Sequence, residues 1–123
     1  MASWTLKVRD GSRIERSSFA DLDKALRALE RRLVELEPTA HQEDVHLLKR
    51  RIDASRLVSV RLEVSGPGRI APAFRGGIDL RGDGSTEAFT GRSRRTLIEQ
   101  GKRESATQAL RRVAAAKAGP GKG

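Results

Sequence analysis

The fold of this chain is decided around residues 57–65, which read LVSVRLEVS. Every second residue from Val58 to Val64 is apolar, and the residues between them are polar or charged. This period of two is typical of a strand with one face in a hydrophobic core and the other in water. Antiparallel sheets commonly leave one face to water, so the stretch predicts a central strand of an antiparallel sheet.

Residues 3–18 repeat this pattern as a hairpin. Apolar and polar side chains alternate from Trp4 to Arg9, and Asp10-Gly11 follows. An Asp-Gly pair is a strong signal for a type I′ turn, whose two central residues both take positive φ. We therefore expect a tight turn there and a return strand from Ser12 to Ser17.

A helix is predicted over residues 18–37. Ser18 and Asp21 have the spacing of a weak capping box, and Pro38 disfavours a helical conformation at Glu37. The apolar positions recur every three or four residues and form one stripe, which consists of Phe19, Leu22, Leu26, Leu29, Leu33 and Leu36. The stripe either packs on the domain's own sheet or provides a homodimer or protein-partner seam through Leu22, Leu26, Leu29 and Leu33.

The middle of the chain is harder to interpret. Residues 39–44 are polar and predict a loop, while residues 45–52 fit either a helix or a strand, with the strand favoured. The glycines and prolines of residues 66–77 predict another loop. A second hairpin then turns at Gly82-Asp83-Gly84 and returns over Thr86 to Thr90.

The C-terminal part is expected to contribute a further strand within residues 91–98 and a last helix. That helix begins near Glu104-Ser105, and its apolar face consists of Ala106, Ala109, Leu110, Val113 and Ala114. The predicted fold class is α+β, with one domain over residues 1–117. It has an antiparallel sheet of five or six strands with two helices packed on it, and residues 118–123 form a disordered tail.

The composition excludes several classes of function. The chain has no cysteine, which removes disulfides, thiolate metal sites and thiol nucleophiles. No catalytic constellation, cofactor motif or metal-ligand set can be argued from the residue spacings. No apolar run is long enough for a signal peptide or a membrane span, so we expect a non-catalytic cytoplasmic protein without cofactor, metal or membrane contact.

The charge is uneven along the chain. Residues 1–44 carry 8 basic and 9 acidic side chains, whereas residues 92–123 carry 9 basic and 2 acidic ones. A localised basic field is the footprint of a polyanion ligand, most often nucleic acid. The predicted nucleic-acid-binding residues are Arg92, Arg94, Arg95, Lys102, Arg103, Arg111 and Arg112.

Aromatic residues, only 3% of the chain, help to choose the ligand. Proteins that read single strands use exposed rings for base stacking, and the few rings here are expected in the core. The sequence therefore predicts contact with the phosphate backbone of double-stranded DNA or structured RNA. The alternative is a protein-interaction module that docks an acidic or helical protein partner.

Residues 4–36 resemble the arm-type DNA-binding domains of tyrosine integrases, which are small β-sheets with one packed helix. The resemblance is carried by KVRDGSR at residues 7–13 and SFADL at residues 18–22, and it covers about a quarter of the chain. It implies a hairpin followed by a helix, in a protein that binds DNA.

Overall fold

The computed structural model describes residues 3–46, 58–68, 72–82, 84–91 and 95–118. Six strands form one antiparallel sheet, and two helices pack on it, so the predicted α+β fold is confirmed. The strands are β1 (Trp4–Asp10), β2 (Arg13–Phe19), β3 (Val58–Gly66), β4 (Phe74–Arg81), β5 (Thr86–Thr90) and β6 (Thr96–Leu97). The helices are α1 (Leu22–His46) and α2 (Ala106–Ala118).

The strand order is β2-β1-β3-β4-β5-β6, so the stretch that decided the fold is a central strand, as predicted. In β3, Leu62 lies opposite Val8 of β1 on one side and Ile78 of β4 on the other. Directly opposed residues point to the same face of a sheet. The apolar positions of these three neighbouring strands therefore form one continuous hydrophobic face.

Both helices cover that face: α1 packs over β1 to β4, and α2 packs over β4 and β5. Leu26 and Leu29 of α1 and Leu110 of α2 are fully buried among the strand residues. The apolar stripe of α1 thus packs on the domain's own sheet. The two central leucines of the suggested dimer seam have no exposed surface left to offer a second chain.

The first hairpin is confirmed, but its turn differs from the prediction. Asp10 pairs with Arg13, so the two central residues are Gly11 and Ser12 rather than Asp10 and Gly11. Gly11 has a φ of 65°, which suits the first central position of a type II′ turn. The sequence signal identified the turn correctly and placed it one residue too early.

The predicted bounds of α1 are wrong at both ends. Ser18 belongs to β2, and the helix is capped by Asp21, whose Oδ1 accepts a hydrogen bond of 2.8 Å from the Lys24 amide. At the other end, α1 continues through Pro38 to His46, where a loop and a strand were expected. A proline inside a helix removes one hydrogen bond and can bend the helix without ending it.

The structure differs from two further predictions, which concern a glycine pair and the start of the last helix. Gly76 and Gly77 lie within β4 rather than in the preceding loop, and both pair with β3 and with β5. The backbone of a neighbouring strand lies too close to each of them to admit a Cβ. The last helix begins one residue after Ser105, which caps it. The Ser105 Oγ accepts a hydrogen bond from the Gln108 amide, and the Gln108 side chain accepts one from the Ser105 amide. Most of the ambiguous segment 45–52 and the tail residues 119–123 lie outside the described residues.

Candidate nucleic-acid interface

The face of the sheet that no helix covers is strongly basic, and we call it the open face. Its side chains are the polar partners of the alternating pattern, set by the register of the strands. Among the described residues it carries seven basic and three acidic side chains. The basic ones are Lys7, Arg9, Arg16, Arg61, Arg75, Arg81 and Arg95, and the acidic ones are Glu63, Asp79 and Glu87.

A shallow depression lies at the centre of the open face, with a volume of about 220 Å³. It is lined by Lys7 and Arg9 of β1, Arg61 and Glu63 of β3, and Arg75 of β4. Four of these five side chains are cationic. The register of three neighbouring strands, rather than a run of basic residues in the sequence, brings them together.

Two arginines of this depression oppose each other directly. Arg9 of β1 is the register partner of Arg61 of β3. Like charges placed directly opposite each other on a sheet are destabilising. Of the two arginines, Arg61 is paired with the carboxylate of Asp79, whereas Arg9 forms no ion pair with another described residue.

A carboxylate organises one side of the depression. Asp79 of β4 is buried, with its side chain 3% exposed, and Arg61 donates to its Oδ1 at 2.7 Å. Arg95 donates to the other oxygen of the same carboxylate. One buried acid therefore holds two guanidiniums, and each of the two arginine side chains still has about a third of its surface exposed to solvent.

The same two guanidiniums cover Phe89. Its ring lies on the open face, 1% exposed and apart from the main hydrophobic core. The guanidinium carbons of Arg61 and Arg95 lie 5.5 and 5.3 Å from the ring centroid, within cation–π range. Phe89 is the register partner of Gly77, which has no side chain to compete for the space above the sheet. The ring thus supports both arginines from below.

The arginines of α2 are used differently. Arg111 donates to Asp23 at 2.8 Å and lies 3.8 Å from Glu30, both on α1. The hydrogen bond from Arg111 is the main reason that the pKa of Asp23 is lowered. This pair joins α2 to α1, so Arg111 contributes to the packing of the two helices.

Arg112 is also paired. It donates to both carboxylate oxygens of Glu104, at 2.9 and 3.0 Å, and to the carbonyl oxygen of Glu99 at 2.9 Å. The hydrogen bonds that Arg112 donates to Glu104, together with one from the Gly101 amide, lower the pKa of Glu104 to about 2. Arg112 therefore stabilises the turn that leads into α2.

The seven predicted binding residues do not form one cluster among the parts of the chain that are described. Arg95 joins the open face, Arg111 and Arg112 hold carboxylates, and Lys102 and Arg103 are exposed in the turn before α2. Arg92 and Arg94 lie outside the described residues.

Sequence reasoning missed Lys7, Arg9, Arg61 and Arg75, which the structure places around one depression. They are separated by up to 68 positions, so no sequence window contains them all. The available signal was parity, that is, the odd or even position of each residue along its strand, because each of the four alternates with residues that face the core. Parity assigns a residue to a face, but the order of the strands is needed to show which residues are neighbours.

Within the described ranges, no group of three or more His, Cys, Asp or Glu side chains is placed to hold a metal ion. The helices in those ranges include none that is long and apolar enough to cross a membrane. Comparison of the chain with protein-family models, with curated proteins and with solved structures finds no match. The similarity to integrase arm-type domains therefore stays a prediction.

Proposed function

We propose that this protein binds nucleic acid without acting on it chemically. The open face of its sheet holds the phosphate backbone of double-stranded DNA or structured RNA. The proposal includes a cytoplasmic location. It moves the main binding surface from the C-terminal cluster suggested by the sequence to the centre of the sheet.

The observation that carries the proposal is the depression in which Lys7, Arg9, Arg61 and Arg75 meet. Phosphate contacts by lysine and arginine supply most of the affinity of sequence-independent nucleic-acid binding. Arginine suits this task because its planar fork can donate two hydrogen bonds to one phosphate. Across the rest of the described chain, no ion pair is formed by Lys7, Arg9 or Arg75, so these cations can pair with phosphates without first losing a carboxylate.

The aromatic residues favour backbone recognition over base stacking. Among the described residues, the open face carries the ring of Phe89. This ring lies beneath two guanidiniums and is 1% exposed. Trp4 and Phe74 are buried on the opposite face, under the helices. Single-strand readers need exposed rings on which bases can stack. The open face therefore fits a ligand that presents phosphates and keeps its bases paired.

The test compares two triple variants that remove the same charge from two surfaces. In the first, Lys7, Arg9 and Arg75 of the open face are replaced by Ser. In the second, the matched control, Lys102, Arg103 and Lys117 of the C-terminal region are replaced by Ser. Binding to two duplexes of unrelated sequence and to a structured RNA is measured by fluorescence anisotropy between about 50 and 200 mM salt.

We expect the open-face variant to lose about 2.7 from the log–log salt slope on duplex DNA, which is about 0.9 for each lost phosphate contact. Its affinity should fall about 10²–10³-fold near 0.1 M salt, and similarly for both duplex sequences, because phosphate contacts carry no direct sequence information. The control variant should retain most of the slope and the affinity.

Two results would contradict the proposal. If the control loses the binding and the open-face variant retains it, the C-terminal cluster is the interface. If the parent protein shows no salt-sensitive binding to any of the three ligands, nucleic acid is the wrong partner class. An acidic protein docked on the same face would then become the leading alternative.

A further inference from the structure

Strand β2 forms a long free edge of the sheet. It is the first strand in the order, pairs with β1 on one side, and spans seven residues from Arg13 to Phe19. Residues 13–18 are all exposed. The opposite edge strand, β6, has only two residues. A regular exposed edge presents a row of backbone donors and acceptors that can pair with a further strand.

The turn of the first hairpin shows which backbone groups are free. Asp10 and Arg13 flank a two-residue turn, and such a flanking pair exchanges both of its backbone hydrogen bonds. The pattern alternates along an antiparallel pair. Arg13, Glu15 and Ser17 therefore direct their amide and carbonyl groups towards β1, whereas Ile14, Arg16 and Ser18 direct theirs outward.

The charges along this edge select a second copy of the same strand. In an antiparallel pairing about a two-fold axis at Ile14, Arg13 of each copy lies opposite Glu15 of the other. Two neighbouring registers also place the outward backbone groups of the two copies opposite each other. They are centred on Arg13 or on Glu15, and each opposes two like charges at the axis. A register centred on Arg16 opposes two arginines. Opposite charges stabilise a cross-strand pair and like charges destabilise it, so the register centred on Ile14 is the most favourable of these four.

The side chains around the axis fit this arrangement. Ile14 is 44% exposed, one of three large hydrophobic side chains that are exposed in the described part of the chain, and it would cover its own symmetry mate. Glu15 is already held by Arg32 of α1, which donates to both carboxylate oxygens at 3.1 Å. The incoming Arg13 therefore meets a carboxylate that is fixed in position.

We infer that two copies of this chain pair through β2, antiparallel and centred on Ile14. In this register residues 13–15 of each β2 pair with each other, since residues 11 and 12 form the turn. Paired strands keep the faces of their sheets aligned, so the two sheets join with all helices on one side. The dimer does not depend on the proposed function. If both hold, the two open faces lie side by side and present a basic surface of twice the area to one ligand.

Sedimentation equilibrium over a range of protein concentrations tests the dimer. We expect the parent to associate to twice its monomer mass. Ile14→Glu should weaken association at least tenfold, because it places two carboxylates at the axis, while within each chain the new side chain lies opposite Arg9. Leu97→Glu is the matched control, since Leu97 is also an exposed apolar side chain on the open face but lies on the opposite edge. It should leave association unchanged.

A charge exchange tests the register itself. Arg13→Glu alone and Glu15→Arg alone should each weaken the dimer by opposing like charges. The double variant should restore it when Arg32→Glu is added, because Arg32 holds Glu15 within the chain. Circular dichroism confirms that each variant is folded. A parent that stays monomeric up to concentrations on the order of 100 μM would overturn the inference. So would a dimer that Ile14→Glu leaves intact, or one that fails to recover when the three charge substitutions are combined.

Discussion

The protein has two basic regions that differ in what their charges do. On the open face, Lys7, Arg9 and Arg75 surround a depression and form no ion pair with the other described residues. In the C-terminal region, Arg111 and Arg112 each hold carboxylates that join α2 to α1 and to the preceding turn. The C-terminal region also contains described cations without an ion pair, Lys102, Arg103 and Lys117, but only on the open face do several such cations line one depression in the described part of the chain.

This difference shows why charge clustering along a chain is an incomplete guide to a binding surface. Arg111 and Arg112 of α2 meet acids of α1 and of the preceding turn, so their charges are used within the fold. Alternate residues of neighbouring strands point to one face and stand side by side. A sheet can therefore collect charges from distant parts of the sequence.

The largest difference between the regions should be the loss of unfolding free energy when one glycine in each region is replaced by alanine. A Cβ at Gly77, under the open face, would lie 2.1 Å from the Leu62 carbonyl oxygen, so the backbone of β3 or β4 must shift. We expect Gly77→Ala to lower the free energy of unfolding by about 3 kcal/mol. Urea denaturation measures this change.

Gly101→Ala is the matched substitution in the C-terminal region. The nearest atom to its Cβ would be a Glu104 carboxylate oxygen at 3.5 Å, an ordinary contact. This variant should stay within about 0.5 kcal/mol of the parent. Equal losses of unfolding free energy at the two glycines would show that the close approach of β3 and β4 does not determine the cost of a side chain at position 77.

The buried acid of the open face offers the next test. Asp79→Asn removes the charge that holds Arg61 and Arg95, so stability should fall by about 2 kcal/mol. The two released guanidiniums should at the same time strengthen binding to duplex DNA and increase the magnitude of the log–log salt slope by about 1–2. Denaturation and anisotropy on the same preparation would measure both.

Glu87→Gln is the control for this variant, because Glu87 pairs with Arg81 on the same face but is about a third exposed. It should change both quantities less. If Asp79→Asn weakens DNA binding while the variant remains folded, the Asp79 carboxylate positions Arg61 and Arg95 for the ligand, and the expectation that their release helps binding is wrong.

The smallest expected effect concerns pH and the C-terminal region. Arg112 lowers the pKa of Glu104 to about 2, below its usual value of 4.5. A carboxyl with a lowered folded-state pKa contributes stability above its unfolded pKa and loses it as pH falls through the folded pKa. The contribution of this pair should therefore be present above about pH 4.5 and decline towards pH 2.

Thermal melts of the parent and of Glu104→Gln across that pH range would detect this decline. The variant should show a flatter dependence of melting temperature on pH, and Arg112→Ala should flatten it in the same way. Combining the two substitutions should add nothing further, since both remove one interaction. An additive effect would show that the two side chains stabilise the fold through different partners.

The sequence alone determined the elements whose signals are local. Alternation identified β1, β3 and the second hairpin, and the leucine spacing identified the buried side of α1, because both depend only on which side chains face the core. The sequence did not distinguish the two candidate caps of α1, since Ser18 and Asp21 are both good capping residues. Pairing with β1 extends β2 to Phe19 and so places Ser18 in the strand.

Only the tertiary structure decided which charges are neighbours and which are already paired. The passage of α1 through Pro38 and the place of Gly76 and Gly77 inside β4 depend on packing that no local signal reports. The same holds for the open face, since Lys7 and Arg75 become neighbours only when the strand order places β1, β3 and β4 side by side. Periodicity assigns each residue to a face, and long-range pairing of strands decides which residues share a site.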